Sequence, residues 1–227
     1  MNKITEAIEL HDTLNPILWD ANNNLKEEVL DKLLDIYYEF IKFIELPLNV
    51  VDVEIVGSNA SYNYNENSDI DLHIIVNFDL NYVDNDILQQ LYNSKKNSFN
   101  ENYDIDIEGI PVELYIEDVN AGNATNGRYS IIENSWLLIP EKIKYTIPDI
   151  SDSLQKWIDI CNDCINSNDA EQIKEVINQI YMMRKISLAE SGEAGIGNLV
   201  FKELRSNGFI QQLRDKYYEI RSEILSL

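Results

Sequence analysis

The chain has 227 residues, 44% of them hydrophobic, and a formal net charge of −22. That apolar content suits one sizeable core, or a core with an appended subdomain, and excludes a disordered chain. With 40 acidic residues against 18 basic ones, long nucleic acid is disfavoured as a substrate, because binding it requires Lys and Arg to displace counterions.

In chain order, the first 24 residues read as an irregular arm whose Leu14, Ile17, Leu18 and Trp19 are too apolar to leave in water. From Leu25 to Leu46 the apolar residues, among them Val29, Leu33, Phe40 and Ile44, keep helical spacing, and Pro47 is expected to end that helix. Asn49 to Val56 and Asp69 to Asn77 read as strands. A helix is expected over Tyr82 to Tyr92, followed by a polar link. Tyr103 to Glu108 and Ile110 to Glu117 then suggest a hairpin turning at Gly109. Residues Tyr129 to Pro140 are mostly strand-like, with a break near Glu133 and Asn134.

After Pro148 the texture becomes helical. Ser151 is a candidate N-cap for a helix to about Ile165, and Asp169 for one from Ala170 to about Leu188. The glycine-rich SGEAGIG leads into a short helix, Asn198 to Arg205, and Asn207-Gly208 precedes a last helix from about Phe209 to Leu225. The expected fold class is α/β (α+β): a mixed sheet flanked by helices over residues 1–148, then a helical subdomain over 149–227. Cys161 and Cys164, spaced C-x-x-C within WIDICNDCI, lack the further ligands of a zinc site and read as ordinary helical cysteines. No apolar run reaches the length of about 18 residues that a membrane span needs, and no signal pattern opens the chain, so a soluble, cytoplasmic protein is expected.

The chemistry concentrates in Val53 to Val76, VEIVGSNASYNYNENSDIDLHIIV. An apolar strand breaks at Gly57-Ser58, crosses an Asn-rich loop, and re-enters an apolar run carrying Asp69 and Asp71. Side chains two apart on a strand project from the same face. Two carboxylates so placed repel each other, and a divalent cation bridging them is the compensation carboxylate oxygens favour. His73 shares that face but is a poor ligand for Mg²⁺, and is expected as a neutral, hydrogen-bonded neighbour. Glu117 and Asp118 are expected as rim charges.

The order strand, Gly57-Ser58, loop, Ser68-Asp69-Ile70-Asp71-Leu72 resembles the signature of the DNA polymerase beta-like nucleotidyltransferase superfamily, over roughly Val50 to Ile116. The resemblance implies transfer of a nucleoside monophosphate from a triphosphate, ATP first, to a small-molecule or protein acceptor. It implies Mg²⁺ (or Mn²⁺) held by Asp69, Asp71 and a third carboxylate on a strand after a hairpin turn. Glu113 fits that place, with Asp104, Asp106 and Glu117 as competitors. Gly57 and Ser58 would face the triphosphate, with Asn59 and Ser61 as possible helpers.

A triphosphate would need cations beyond the metals, and the C-terminal part offers basic residues. Asn198, Lys202 and Arg205 fall on one helical face behind Gly195 and Gly197. Lys202, with Arg205 or Arg184, therefore reads either as a contact to phosphate or acceptor, or as part of a solvated basic face paired with acids such as Glu203. Two other readings stay beside the enzyme: a non-catalytic nucleotide-binding or regulatory partner, as in a toxin–antitoxin pair, and an RNA- or tRNA-end nucleotidyltransferase.

Overall fold

The structure is a computed structural model, and it describes residues 10–46, 48–78, 85–122, 125–144 and 146–226. The expected helix stop at Pro47 and helix start at Tyr82 lie outside the described residues. The chain divides into two compact units, one spanning Glu9–Ile143 and the other built on Lys144–Leu227.

In the first unit, α1 (Glu27–Ile44) buries Val29, Leu33, Ile36, Phe40 and Ile44 along one stripe. It ends at Glu45, which takes a left-handed conformation. The sheet comprises β1 (Val50–Val56), β2 (Ile70–Val76), β3 (Asp106–Ile107), β4 (Ile110–Asp118), β5 (Arg128–Ser130) and β6 (Ser135–Leu138). Its order is β3-β4-β2-β1-β5-β6. β2 and β4 are parallel; the other neighbours are antiparallel. Strand alternation gives the sheet two unlike faces. Val53, Ile55, Ile70, Leu72, Ile74, Val112, Leu114 and Ile116 join α1 in one hydrophobic core. Asp52, Glu54, Asp71, His73, Glu113, Tyr115 and Glu117, one position out of phase, belong to the opposite face.

The arm before α1 packs onto this unit through Leu14, Leu18 and Trp19, which are buried, whereas Ile17, expected with them, stays exposed; Trp19 stacks on Trp136 and meets Tyr129 edge-on. The second helix, α2 (Asn85–Asn102), corrects the expected end at Tyr92, since the stretch read as a polar link is helical. Its late apolar residue Phe99 is fully buried against Phe40 and Phe43, which anchors a helix otherwise too polar to show a full stripe. β3 is shorter than the expected Tyr103–Glu108 and pairs only through Asp106 and Ile107. The turn into β4 places both Glu108 and Gly109 at positive φ, the geometry of a tight hairpin.

The second unit is helical: α3 (Ser151–Ser167), α4 (Ala170–Ser191), α5 (Ile196–Ser206) and α6 (Phe209–Leu225), around Ile173, Ile180, Leu199, Phe201, Leu204 and Leu213. Asp169 caps α4, its carboxylate accepting from the Glu171 and Gln172 amides. Ser151 is the first helical residue of α3 rather than its cap; the Asp149 carboxylate takes both its amide and its hydroxyl. Cys161 and Cys164 are free, buried thiols, and burial pushes Cys161 up to about 11, so neither is a reactive thiolate at neutral pH. Among the described residues, no helix is long and apolar enough to cross a membrane.

Candidate active site

The site begins with strand pairing. β2 and β4 run parallel in a register that sets Asp71 beside Glu113, His73 beside Tyr115 and Ile75 beside Glu117. Asp69 immediately precedes β2, two residues before Asp71, and shares its side of the strand. Asp69, Asp71 and Glu113 each bring one carboxylate oxygen within 4.8 Å of the others, and all three are half-buried. The arrangement therefore combines hard oxygen donors, concentrated negative charge and access from solvent, which fits a divalent cation.

The turn after β1 closes one side of this cluster. Gly57 has φ 73° and ψ −156°, a conformation open essentially to glycine alone. A Cβ added there would lie 2.0 Å from Asp71 Oδ2. The missing side chain is the space the Asp71 carboxylate occupies. Ser58 opens a single turn of 3-10 helix, Ser58–Ala60, and its hydroxyl donates to Ser68 Oγ at 2.9 Å.

Asn59, expected as a helper on phosphate, faces inward instead. It is fully buried; its Nδ2 donates to the Asp69 carbonyl at 2.7 Å and its Oδ1 accepts from Asn15 Nδ2 at 2.8 Å. The Trp19 indole donates to the Asn59 carbonyl at 2.8 Å. Asn59 thus ties the Gly57-Ser58 turn and the N-terminal arm to the backbone that carries Asp69, a bond over ten residues with no sequence period to announce it. Ser61 is also buried, with its hydroxyl engaged by the turn itself.

The competitors for the third carboxylate go elsewhere. Asp106 accepts from the Gly109 amide at 2.8 Å within the hairpin turn, and Asp104 is exposed. Glu117, expected at the rim, is instead drawn onto the sheet face by His73, whose Nδ1 lies 2.7 Å from Glu117 Oε2. His73 is thereby a hydrogen-bonded neighbour of the site, as its poor match to Mg²⁺ suggests.

Tyr115 donates to Glu113 Oε2 at 2.5 Å. Burial first, then the Glu113 hydrogen bond and the charges of Glu113, Asp71 and Asp69, push its phenol well above the ordinary tyrosine range. It stays a neutral donor to the carboxylate. Neither this bond nor its companion on β1 follows from a period in the sequence. There Glu54 is 3% exposed and is held by Arg128 through Nε at 2.6 Å and Nη2 at 2.9 Å. The fork-to-fork geometry makes this a strong pair.

Arg128→Ala would leave Glu54 buried without its cation. We expect a loss of about 2 kcal/mol in unfolding free energy, below the usual cost of breaking a fully buried pair because Arg128 is partly open to solvent. Urea unfolding measures it, and Glu54→Gln in the same background should recover part of the loss.

Lys202 and Arg205 belong to the second unit. Lys202 is engaged by Glu193 at 2.8 Å rather than by Glu203, and Asn198 beside it is fully buried and donates to the Glu193 carbonyl. Burial raises the Glu193 carboxyl, but Lys202, Asn198 and Arg184 outweigh it and hold the group below its ordinary value. Gly195 and Gly197 are close-packing positions: a Cβ on Gly197 would meet Met183 Cγ at 2.8 Å, and one on Gly195 would meet Ser187 Oγ at 2.3 Å. Arg205 is exposed in the last turn of α5.

Residues 34–118 match the family of nucleotidyltransferase domains. The matched segment runs from within α1 to the end of β4 and contains Gly57, Ser58, Asp69, Asp71 and Glu113. The chain carries a nucleotidyltransferase domain. No curated protein and no solved structure matches it. This domain gives the Asp-x-Asp pattern and the neighbouring Glu113 a common context, since a nucleotidyltransferase must handle a polyanionic triphosphate.

Proposed function

We propose that this nucleotidyltransferase transfers a nucleoside monophosphate from a triphosphate, ATP first, to a small-molecule or protein acceptor. The reading is carried by one observation: the carboxylates of Asp69, Asp71 and Glu113 converge beside the Gly57-Ser58 turn. These three residues would hold Mg²⁺ or Mn²⁺. Divalent cations bound there would neutralise charge on the phosphates and align the attacking and leaving oxygens.

The residues of the chain have separable tasks. The turn at Gly57 lets backbone N–H groups and the Ser58 hydroxyl approach phosphate oxygens. The acceptor oxygen forms the new bond to the α-phosphorus, the bond to pyrophosphate breaks with its electron pair, and a cluster carboxylate takes the acceptor proton. The acidity of the chain favours an acceptor other than long nucleic acid. The two free thiols fit a reducing, cytoplasmic compartment.

A thermal-shift series tests this reading with ATP, GTP, CTP and UTP, each with and without Mg²⁺ or Mn²⁺, on wild type and on the Asp69→Asn/Asp71→Asn variant. One triphosphate should stabilise the wild type only with metal, by about 2.7 kcal/mol at a hundred times its Kd, and the variant should not respond. No shift with any triphosphate at millimolar concentration would overturn the proposal.

A further inference from the structure

β3 pairs with β4 at Pro111 and Ile110, and the Ile105 carbonyl just before it accepts from the Val112 amide at 2.9 Å; beyond Val112 the outer edge of β4 has no strand beside it among the described residues. The helix α2 fills that place at Leu114. Asn100 Nδ2 donates to the Leu114 carbonyl at 3.2 Å, and Asn100 Oδ1 accepts from the Leu114 amide at 3.3 Å. One side chain satisfies both main-chain groups and locks α2 to β4 beside Glu113.

Lys96 lies one helical turn before Asn100, on the same side of α2. Its ammonium sits 4.8 Å from the centre of the Tyr115 ring. Burial lowers the pKa of that ammonium while the charge of Glu113 acts in the opposite direction. Tyr115 itself is hydrogen-bonded to Glu113. Lys95, its neighbour in sequence, points to different company and lies over the Phe43 ring at 5.8 Å.

We infer that Lys96 is the resident counter-charge of the Asp69, Asp71 and Glu113 cluster, one that an incoming divalent cation must outcompete, and that Tyr115 is the positioning residue linking it to Glu113. The inference rests on the reading of that cluster as a metal site. Three carboxylates this close repel one another, and an ammonium held over the ring of Tyr115, whose hydroxyl donates to Glu113, offsets part of that repulsion. The same ammonium opposes a second positive charge. Lys96 therefore stabilises the metal-free cluster and weakens its first metal-binding step.

The test is Mn²⁺ titration of the full chain, followed by the electron paramagnetic resonance signal of free Mn²⁺, with circular dichroism as the check on folding. At low ionic strength Lys96→Met should bind Mn²⁺ about five-fold more tightly than wild type, the size expected for removing one nearby unit charge in a partly solvated site. The gain should shrink at 0.5 M salt. Lys96→Gln should reproduce it. Lys96→Arg, which keeps the charge, and Lys95→Met, which removes a charge elsewhere on α2, should match wild type. Tyr115→Phe should bind Mn²⁺ about three-fold more weakly, because Glu113 loses a strong hydrogen bond that orients it.

Equal or weaker binding by Lys96→Met overturns the inference, as does an equal gain from Lys95→Met, which would mark a net-charge effect. If wild type takes up no Mn²⁺ at all, the metal-site reading fails and this inference with it. A wild type that binds while Lys96→Met shows no gain sinks only the inference.

Discussion

Replacing Gly57 with alanine is expected to dismantle the carboxylate cluster and to destabilise the first unit by about 3 kcal/mol. Two independent effects add. The φ of 73° and ψ of −156° lie in a region that a side chain makes strained on its own. The new methyl carbon would also stand 2.0 Å from Asp71 Oδ2, well inside any allowed contact, and a tight 3.0 Å from Asp71 Cγ. The backbone has little room to yield, because the following turn is tied through fully buried Asn59 to the Asp69 carbonyl and to Asn15. Asp71 must therefore swing away from Glu113. Mn²⁺ binding and nucleotidyl transfer should fall together, by more than about a hundred-fold, the loss expected when a reacting centre is displaced by an ångström or so. Adding Asp71→Ala to Gly57→Ala separates the two effects: it removes the clash but not the strain, so stability should recover in part while activity stays lost. Gly57→Ala that retained wild-type Mn²⁺ affinity would show that the turn does not support the site.

The parts of this site legible in the sequence are those with a short period. Alternation alone puts Asp71 and His73 on one face of β2, and Glu113, Tyr115 and Glu117 on one face of β4. It cannot say that these strands are parallel neighbours or that the register sets Asp71 beside Glu113. Only the likeness of the motif separates Glu113 from Asp106 in the sequence; in the structure Asp106 is occupied by its own hairpin turn. Contacts between distant residues left no trace at all. Asn15 with Asn59, His73 with Glu117, and Arg128 with Glu54 are separated by 44, 44 and 74 positions. The second half of α2 is hidden for a related reason. Leu88, Tyr92 and Phe99 are its buried anchors, and the intervening polar run, where Asn100 serves the edge of β4, reads as a link. Gly195 and Gly197 also have a packing reason that no short period announces: the space a side chain would need there is filled by Met183, Ser187 and Ser191 of α4.

The other large effect is expected from Asp71→Asn. Asp71 is the hinge of the cluster: its strand partner is Glu113, Asp69 is two residues away, and the Gly57 turn leaves room for its carboxylate. Asparagine keeps the shape, so the fit against Gly57 survives. What disappears is one negative charge and one anionic oxygen donor at a site proposed to hold divalent cations. Loss of metal-assisted stabilisation of the transition state should cost about 4 kcal/mol, roughly a thousand-fold in kcat. Stability should stay level or rise slightly, since the mutual repulsion of three carboxylates is relieved. This opposite pairing, a collapse in turnover with no fall in melting temperature, separates loss of chemistry from loss of fold. Asp69→Asn should behave in the same way. Added Mn²⁺ at high concentration should restore part of the activity if the residual carboxylates still bind weakly, and the Kd for Mn²⁺ should rise in parallel. Full turnover in either variant would mean that the reacting phosphate is handled somewhere other than between β2 and β4.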